Sequence, residues 1–252
     1  MKILNFGLKS YIVELIYLSM KKYSLSIIAL FIFGIIQAQN SINQDLKKEL
    51  DVILKSDQIL REYSDFMTTE IRKEEILKET GYSKEELSNN KIWIIINKQD
   101  SINLIKIEEI ISKFGYPGKT LVGEPTNEAV WYVIQHSDKI PKYFPLIQKA
   151  GENKEITFTK VAMMQDRLLK YEGKEQLYGT QGAGQHILNK VTGKEEFFYF
   201  IWPIKNHKDV NKLRKKAGFT DTVEENAKKM EIEYKPYTLD EINKLLIRPK
   251  HH

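Results

Sequence analysis

Apolar residues recur at helical spacing through most of this 252-residue chain. In the segment 42–63 four of them fall on one face of a helix: Leu46, Leu50, Ile53 and Leu60. A sequence that is 42% hydrophobic and 29% charged has enough apolar side chains to bury such faces. Because one amphipathic helix cannot bury its own apolar face, the repeated pattern predicts several helices packed around a shared core.

Glycine and proline mark where the predicted helices end. The helix over 101–114 stops at residues 115–118, Gly-Tyr-Pro-Gly, where a glycine follows the last apolar position and a proline lies two residues further on. Similar patterns predict four more helices: 125–137, 142–150, 159–171 and 209–217. The apolar run 92–96 fits a strand as well as a helix, because a run this short has no readable period.

Glycines interrupt the helical pattern after residue 173. Three glycines within 178–184 predict a loop, since they break helices and strands alike. The segments 186–191 and 196–202 then flank Thr-Gly-Lys at 192–194 and predict a β-hairpin. The sequence therefore predicts a mainly α protein, a multi-helix domain with orthogonal or bundle-like packing that carries a small C-terminal β-hairpin and a helical tail. The helical domain is expected at 40–181, and the hairpin and tail at 182–252.

An apolar run at 25–36 precedes the helical domain and predicts export. It is shorter than the ~20 residues of a membrane-spanning helix and matches the core of a signal peptide. Lys21 and Lys22 supply the positive flank, and Ala38 is the expected cleavage position. Residues 1–38 are therefore predicted to be a signal peptide, and the mature protein is expected in the periplasm or outside the cell without a stable membrane anchor.

Two alternatives remain for this N-terminal segment. Met20 is followed directly by two lysines and is an alternative start, which would make residues 1–19 a misassigned extension. A single long anchor over 11–36 is the other alternative, although the lysines at 21 and 22 interrupt its apolar character.

Charge and cysteine content exclude several classes of function. The chain has 39 Lys and Arg against 34 Asp and Glu, but residues 1–38 hold four Lys and one Glu, so the remainder carries only +2. This balance argues against a nucleic-acid partner, and the short basic segment 212–216 fits a solvated helix face. The absence of Cys excludes disulfides, thiolate metal sites, iron–sulfur clusters and cysteine nucleophiles.

Polar residues fall on or beside the predicted inward faces of several helices. Asp57 and Arg61 lie on the apolar face of the first helix, where an ion pair costs several kcal/mol of desolvation unless it is well paired. Asp100 and Asn103 lie on the apolar side of the helix that follows. Others border the apolar arcs of later helices: Gln135, His136, Asp138 and Asp166. Their recurrence predicts one polar pocket between the helices.

Each of these residues also has a purely structural interpretation. Asp100 is well placed to cap the N-terminus of a helix. Asp57 and Arg61 fit a buried ion pair that fixes helix packing. A lone histidine at a helix edge, such as His136, is more often a structural residue than a catalyst.

Six short motifs contain most of these polar residues. They are DQxxR at 57–61, DxxN at 100–103, GYPG at 115–118, QHxD at 135–138, DR at 166–167 and QxYGTQ at 176–181. This order resembles a bacterial family, often exported, that is known as a domain of unknown function. The resemblance covers most of residues 42–181 and implies that 66–98 is an insertion relative to compact members. It implies no particular reaction.

The usual motifs for metal, serine-hydrolase and nucleotide sites are absent. The sequence contains no HExxH, no calcium-loop spacing of acids and no GxSxG. The glycine loop lacks the Gly-Lys-Ser/Thr of a phosphate-binding loop, and GxGxxG does not occur. The sequence therefore predicts neither a metal nor a cofactor.

The remaining polar residues support two hypotheses. In the first, the protein is a metal-independent hydrolase or lyase that acts on a small polar or anionic substrate and is centred on His136 and Asp166. His136 is expected to act as general acid or base, with Asp166 or Asp100 orienting it or titrating beside it. Residues expected to bind the substrate are Asp57, Arg61, Asp100, Asn103, Gln135, Arg167, Tyr178, Thr180 and Gln181, the two arginines holding an anionic group. In the second, the protein is a non-catalytic binding or interaction module whose polar network only fixes helix packing.

Overall fold

The computed structural model describes residues 42–88, 90–188, 193 and 195–246. The predicted signal peptide at 1–38 lies outside the described residues. Contacts divide the chain into residues 1–43 and 44–252, and all elements below belong to the second unit. Within the described ranges the chain forms ten α-helices and one two-stranded antiparallel hairpin, which confirms the predicted fold class.

In chain order the elements are α1 (Gln44–Ser64), α2 (Glu70–Thr80), α3 (Lys91–Phe114), α4 (Lys119–Val122), a 3-10 helix (Thr126–Glu128), α5 (Ala129–Gln135), α6 (Ile140–Glu152), α7 (Phe158–Tyr171), β1 (Gly182–Leu188), β2 (Glu195–Ile201), α8 (Val210–Ala217), α9 (Val223–Lys229) and α10 (Leu239–Leu246). No helix in these described ranges combines the length and apolarity that a membrane crossing requires.

The main core lies between α1, α3, α5, α6 and α7. The apolar face predicted for α1 is buried there, including Leu50 and Ile53. Ile107 of α3, Ile134 of α5 and Ile147 of α6 are fully buried in the same cluster. Each such side chain contributes about 1.5–3 kcal/mol of burial free energy. This core fixes the positions of the helix faces that carry the polar residues.

Helix α3 begins ten residues earlier than the sequence pattern suggested. The ambiguous run 92–96 forms its first turns, because Ile92 and Ile96, four residues apart, are both buried against a second apolar cluster that includes Ile76 of α2. Asp100 consequently lies in the interior of α3, and its interpretation as an N-terminal cap was wrong. The end of α3 at Gly115 agrees with the predicted stop.

The predicted hairpin is present, but its first strand starts earlier. Residues 182–184, predicted to be loop, form the start of β1, where Gly184 pairs with Tyr199. A Cβ at Gly184 would lie only 2.5 Å from Cε1 of Phe197, so a larger residue here would displace that ring. The glycine-rich loop is therefore limited to residues before 182.

The predicted solvated basic segment at 212–216 contains one exception. Lys212, Lys215 and Lys216 are exposed, whereas Arg214 is buried. It lies on the same inward side of α8 as Val210, four residues before it. The interpretation of this segment as wholly solvated was therefore wrong at Arg214.

Candidate functional site

The packing of α1 against α3 brings four predicted site residues together. Nη2 of Arg61 donates a hydrogen bond of 2.7 Å to Oδ2 of Asp100. Nη1 of Arg61 donates to the backbone carbonyl of Asp57 at 2.6 Å and lies 3.8 Å from its Oδ1 atom. Oδ1 of Asn103 accepts hydrogen bonds from Ser56 and Gln99. Arg61 therefore makes its close ion pair with Asp100 of another helix rather than with its own-helix neighbour Asp57.

His136 lies at the C-terminal end of α5 and faces this cluster. Its Nε2 atom is 3.7 Å from Oδ2 of Asp57 and 3.3 Å from Nε2 of Gln135. Burial, reinforced by the positive charges of Arg61 and Arg167, lowers the pKa of His136 to about 3. The imidazole is therefore neutral at physiological pH.

The pKa of the Asp57 carboxylate is shifted in the opposite direction, upward. Burial raises its pKa to about 6, and the charge of Asp100 acts in the same direction, while Arg61 and Gln58 oppose the increase. Asp57 is 1% exposed. Within the cluster it is thus a buried acid that exchanges its proton close to neutral pH.

Three buried atoms of the cluster have unused hydrogen-bonding capacity. Among the described residues, Oδ1 of Asp57, Oδ1 of Asp100 and Nδ2 of Asn103 have no hydrogen-bond partner. Buried polar groups in proteins are almost always paired, with protein, water or ligand. Two acceptors and one donor of the cluster are thus without a partner among the described residues.

Asp166 faces a different part of the molecule. Its carboxylate accepts hydrogen bonds from the backbone N–H groups of Leu177, Tyr178 and Thr180 and from the Thr180 hydroxyl, all at 2.7–3.1 Å. Burial raises the pKa of Asp166, and these four groups act against the increase. The carboxylate beside His136 is that of Asp57, while Asp166 fixes the loop at 177–180.

Other polar side chains, most of them buried, hold the same loop. The side-chain amide of Gln176 bonds both the N–H and the C=O group of Gln181, each at 2.9 Å. Nη1 of Arg214 donates to the carbonyl of Tyr178 at 2.9 Å, and Asn226 donates to the carbonyl of Gly179 at 3.0 Å. Most backbone groups of the loop are thus fixed before any ligand binds.

The loop forms one wall of a pocket, which we call the α7 pocket. Its volume is about 540 Å³, and it lies between α7, the start of β1, and residues of β2 and the C-terminal segment. Arg167, Lys170, Thr180 and Gln181 line it. Tyr178, which the sequence assigned to ligand contact, is not among the residues that line this pocket, and its ring packs beside Phe219.

Arg167 and Lys170 give the α7 pocket a positive charge. They are the two charged residues that line the pocket in the described part of the chain. No carboxylate in that part of the chain lies within ion-pair distance of Arg167. Burial lowers the pKa of both groups, and for Lys170 the neighbouring charge of Arg167 adds to the effect. Nη1 of Arg167 donates to the backbone carbonyl of Gln135 at 3.2 Å, which joins the pocket to His136.

The predicted site residues thus form two adjoining groups. The first comprises Asp57, Arg61, Asp100, Asn103, Gln135 and His136; the second, Arg167, Thr180 and Gln181, lines the α7 pocket. Asp166 supports the loop at 177–180, and Tyr178 is one of the loop residues whose backbone it holds. Asp138 is exposed and pairs with Lys139.

Sequence reasoning missed Lys170 as a pocket residue and Arg214 as a loop support. Lys170 lies three residues after Arg167 and therefore on the same side of α7, which helical spacing indicates. Arg214 lies on the helix face of Val210, a signal that the neighbouring lysines obscure. In the described residues, no group of three or more His, Asp and Glu side chains is arranged to hold a metal ion.

Searches against protein-family models, curated proteins and solved structures found no match to this chain.

Proposed function

We propose that this protein binds a small anionic molecule in the α7 pocket. The observation that supports this most directly is the guanidinium of Arg167, half-buried at the pocket wall without a carboxylate partner in the described ranges. A guanidinium keeps its charge at any physiological pH and pairs best with a carboxylate or a phosphate, often through two parallel hydrogen bonds. Lys170 adds a second positive charge on the same helix face.

Calorimetric titration with inorganic phosphate and with acetate tests this proposal. We expect at least one anion to bind and Arg167→Ala to weaken its affinity about tenfold or more, the usual value of a charge-assisted hydrogen bond. Lys106→Ala, an exposed site on α3, removes one positive charge away from the pocket and serves as the control. Absence of binding by both anions, or unchanged affinity in Arg167→Ala, would contradict the proposal.

A second candidate function is metal-independent hydrolysis or elimination on the bound anion. It is favoured by Asp57, whose pKa of about 6 suits a general base near neutral pH and which contacts a neutral, partly exposed His136. In this scheme Asp57 takes the catalytic place that the sequence assigned to Asp166, and His136 is the group that meets the substrate. The remaining hypothesis is a binding module in which the same network is structural.

Turnover of two anionic esters, p-nitrophenyl phosphate and 4-acetoxybenzoate, separates these two hypotheses. For an enzyme, kcat/KM should increase as pH rises through about 6, and Asp57→Asn should abolish turnover while phosphate still binds. Phosphate binding without turnover of either ester would favour the binding module.

A further inference from the structure

One face of the hairpin carries an aromatic cluster beside the α7 pocket. Gly184 pairs with Tyr199 and His186 pairs with Phe197, so these four residues share one face of the two strands. The ring centroids of Phe197 and Tyr199 are 4.5 Å apart, and those of His186 and Phe197 are 4.7 Å apart. The cluster therefore supports the Tyr199 ring from one side.

Tyr199 belongs both to this cluster and to the wall of the α7 pocket. Its side chain is 59% exposed, although it is packed against Phe197. Met230 and Ile232 line the same pocket and add apolar surface. One pocket thus combines the cations Arg167 and Lys170 with a supported aromatic ring.

The size of the pocket favours a ligand larger than a simple ion. A volume of about 540 Å³ lies within the roughly 300–1,000 Å³ typical of small-molecule sites. An inorganic anion would occupy only the part near Arg167 and leave the apolar wall in contact with water. A ligand with a flat apolar ring would cover that wall.

We propose that the natural ligand carries an aromatic ring next to its anionic group, a carboxylate or a phosphate, and that the ring packs against Tyr199 while Arg167 and Lys170 hold the anion. Aromatic rings attract one another beyond simple area burial when they are offset or edge to face. This inference rests on the proposed anion binding and adds the chemical class of the ligand.

The test compares pairs of ligands that differ only by the ring. Phosphate is compared with phenyl phosphate, and acetate with benzoate, by calorimetric titration of the whole protein. We expect the ring-bearing member of the binding pair to bind about fivefold more tightly, the gain typical of one aromatic contact. The pair that binds also tells whether the anionic group is a phosphate or a carboxylate.

Three variants assign that gain to one side chain. Tyr199→Phe keeps the ring and should keep the fivefold preference. Tyr199→Ala should reduce the preference to about one while the affinity for the ringless anion stays the same. Phe66→Ala removes an aromatic ring that is 73% exposed outside the pocket and should change neither affinity.

The possible failures are distinguishable. Equal affinity for both members of a pair, or a preference that survives in Tyr199→Ala, would overturn the aromatic-ligand inference but leave anion binding intact. If none of the four anions binds, the proposed function itself fails. Melting temperatures of the variants within a few degrees of the wild type exclude misfolding as the cause.

Discussion

Nε2 of His136 lies 3.7 Å from Oδ2 of Asp57, yet the two groups do not form a charged pair. The pKa of His136 is lowered to about 3, primarily by burial, and the charges of Arg61 and Arg167 add to the effect. At pH 7 a neutral imidazole therefore faces an ionised carboxylate. The donor and acceptor roles of the ring depend on which nitrogen carries the proton.

The first prediction is that His136 does not titrate in the physiological range. Its ring proton resonances should not show the full shift of imidazole protonation between pH 5 and 8 in the folded protein, because the pKa of about 3 lies well below this interval. Only the smaller effect of the neighbouring Asp57, whose pKa is about 6, is expected there. In concentrated urea the same ring should titrate near pH 6.5, the ordinary value for histidine. The full shift of imidazole protonation in the folded protein, with a midpoint near pH 6.5, would show that the ring is solvated.

The second prediction concerns the pH dependence of stability. The pKa of Asp57 is higher in the folded protein than its ordinary 3.8, so its favourable contribution to folding is lost as pH rises from about 4 to about 6. The pKa of His136 is lower than its ordinary 6.5, so its contribution is lost as pH falls from 6.5 toward 3. The two contributions have opposite slopes between pH 4 and 6.

Urea unfolding of two single variants separates these slopes. The free energy of unfolding of His136→Gln minus that of the wild type should decrease as pH rises. The reason is that His136 adds to the stability of the wild type as pH rises toward 6.5, and the variant lacks this group. The same difference for Asp57→Asn should increase by at most about 3 kcal/mol between pH 4 and 6. Taking differences removes the slope that surface carboxylates add to all three proteins. Differences that do not vary with pH would mean that neither pKa is shifted.

Local signals in the sequence predicted much of the fold. The glycine stops after α3 and α8 were readable because a helix end depends on the few residues around it. The burial of Asp57 and Asn103 followed from helical spacing alone. Helix α2 gave no comparable signal, because it buries a single side chain, Ile76, against residues distant in the sequence.

The partners of the polar residues were much less predictable. The sequence placed Arg61 next to Asp57 by spacing, but the closer carboxylate is that of Asp100, 39 residues away. Asp166 was grouped with His136, whereas its oxygens face the loop at 177–180. Both contacts depend on how helices and loops pack together, and helical spacing within one segment contains no information on that packing.

The third prediction concerns Asp166 as the support of the loop. Asp166→Ala leaves the N–H groups of Leu177, Tyr178 and Thr180 without their acceptor, and we expect a loss of about 3 kcal/mol or more in the free energy of unfolding. Asp166→Asn should be nearly as damaging, because the side-chain NH₂ group of Asn is itself a donor and would face the backbone N–H donors of the loop. Faster hydrogen exchange of these three amides would accompany both changes.

A matched control for this experiment is Asp138→Asn. Asp138 is an aspartate with a 71% exposed side chain that pairs with the half-buried Lys139. Surface pairs of this kind contribute little, so the free energy of unfolding should change by less than about 0.5 kcal/mol. A loss below about 1 kcal/mol in Asp166→Ala would show that the loop keeps its conformation without the carboxylate.

The fourth prediction is that Arg61 is coupled more strongly to Asp100 than to Asp57. Single and double variants built from Arg61→Met, Asp100→Asn and Asp57→Asn give two double-mutant cycles, measured by urea unfolding. Arg61→Met alone should cost about 3–5 kcal/mol, because it leaves buried carboxylates without their cation. The coupling energy with Asp100, in contact at 2.7 Å, should be about 1–3 kcal/mol.

The coupling between Arg61 and the Asp57 side chain should be smaller for a geometric reason. Arg61 donates to the backbone carbonyl of Asp57, which the change to Asn leaves in place, and its distance to the carboxylate oxygen is 3.8 Å. If the coupling with Asp57 instead exceeds that with Asp100, the sequence-local pair is the dominant one and the link between α1 and α3 is secondary. The relative size of the two coupling energies therefore decides whether Arg61 stabilises one helix or holds two helices together.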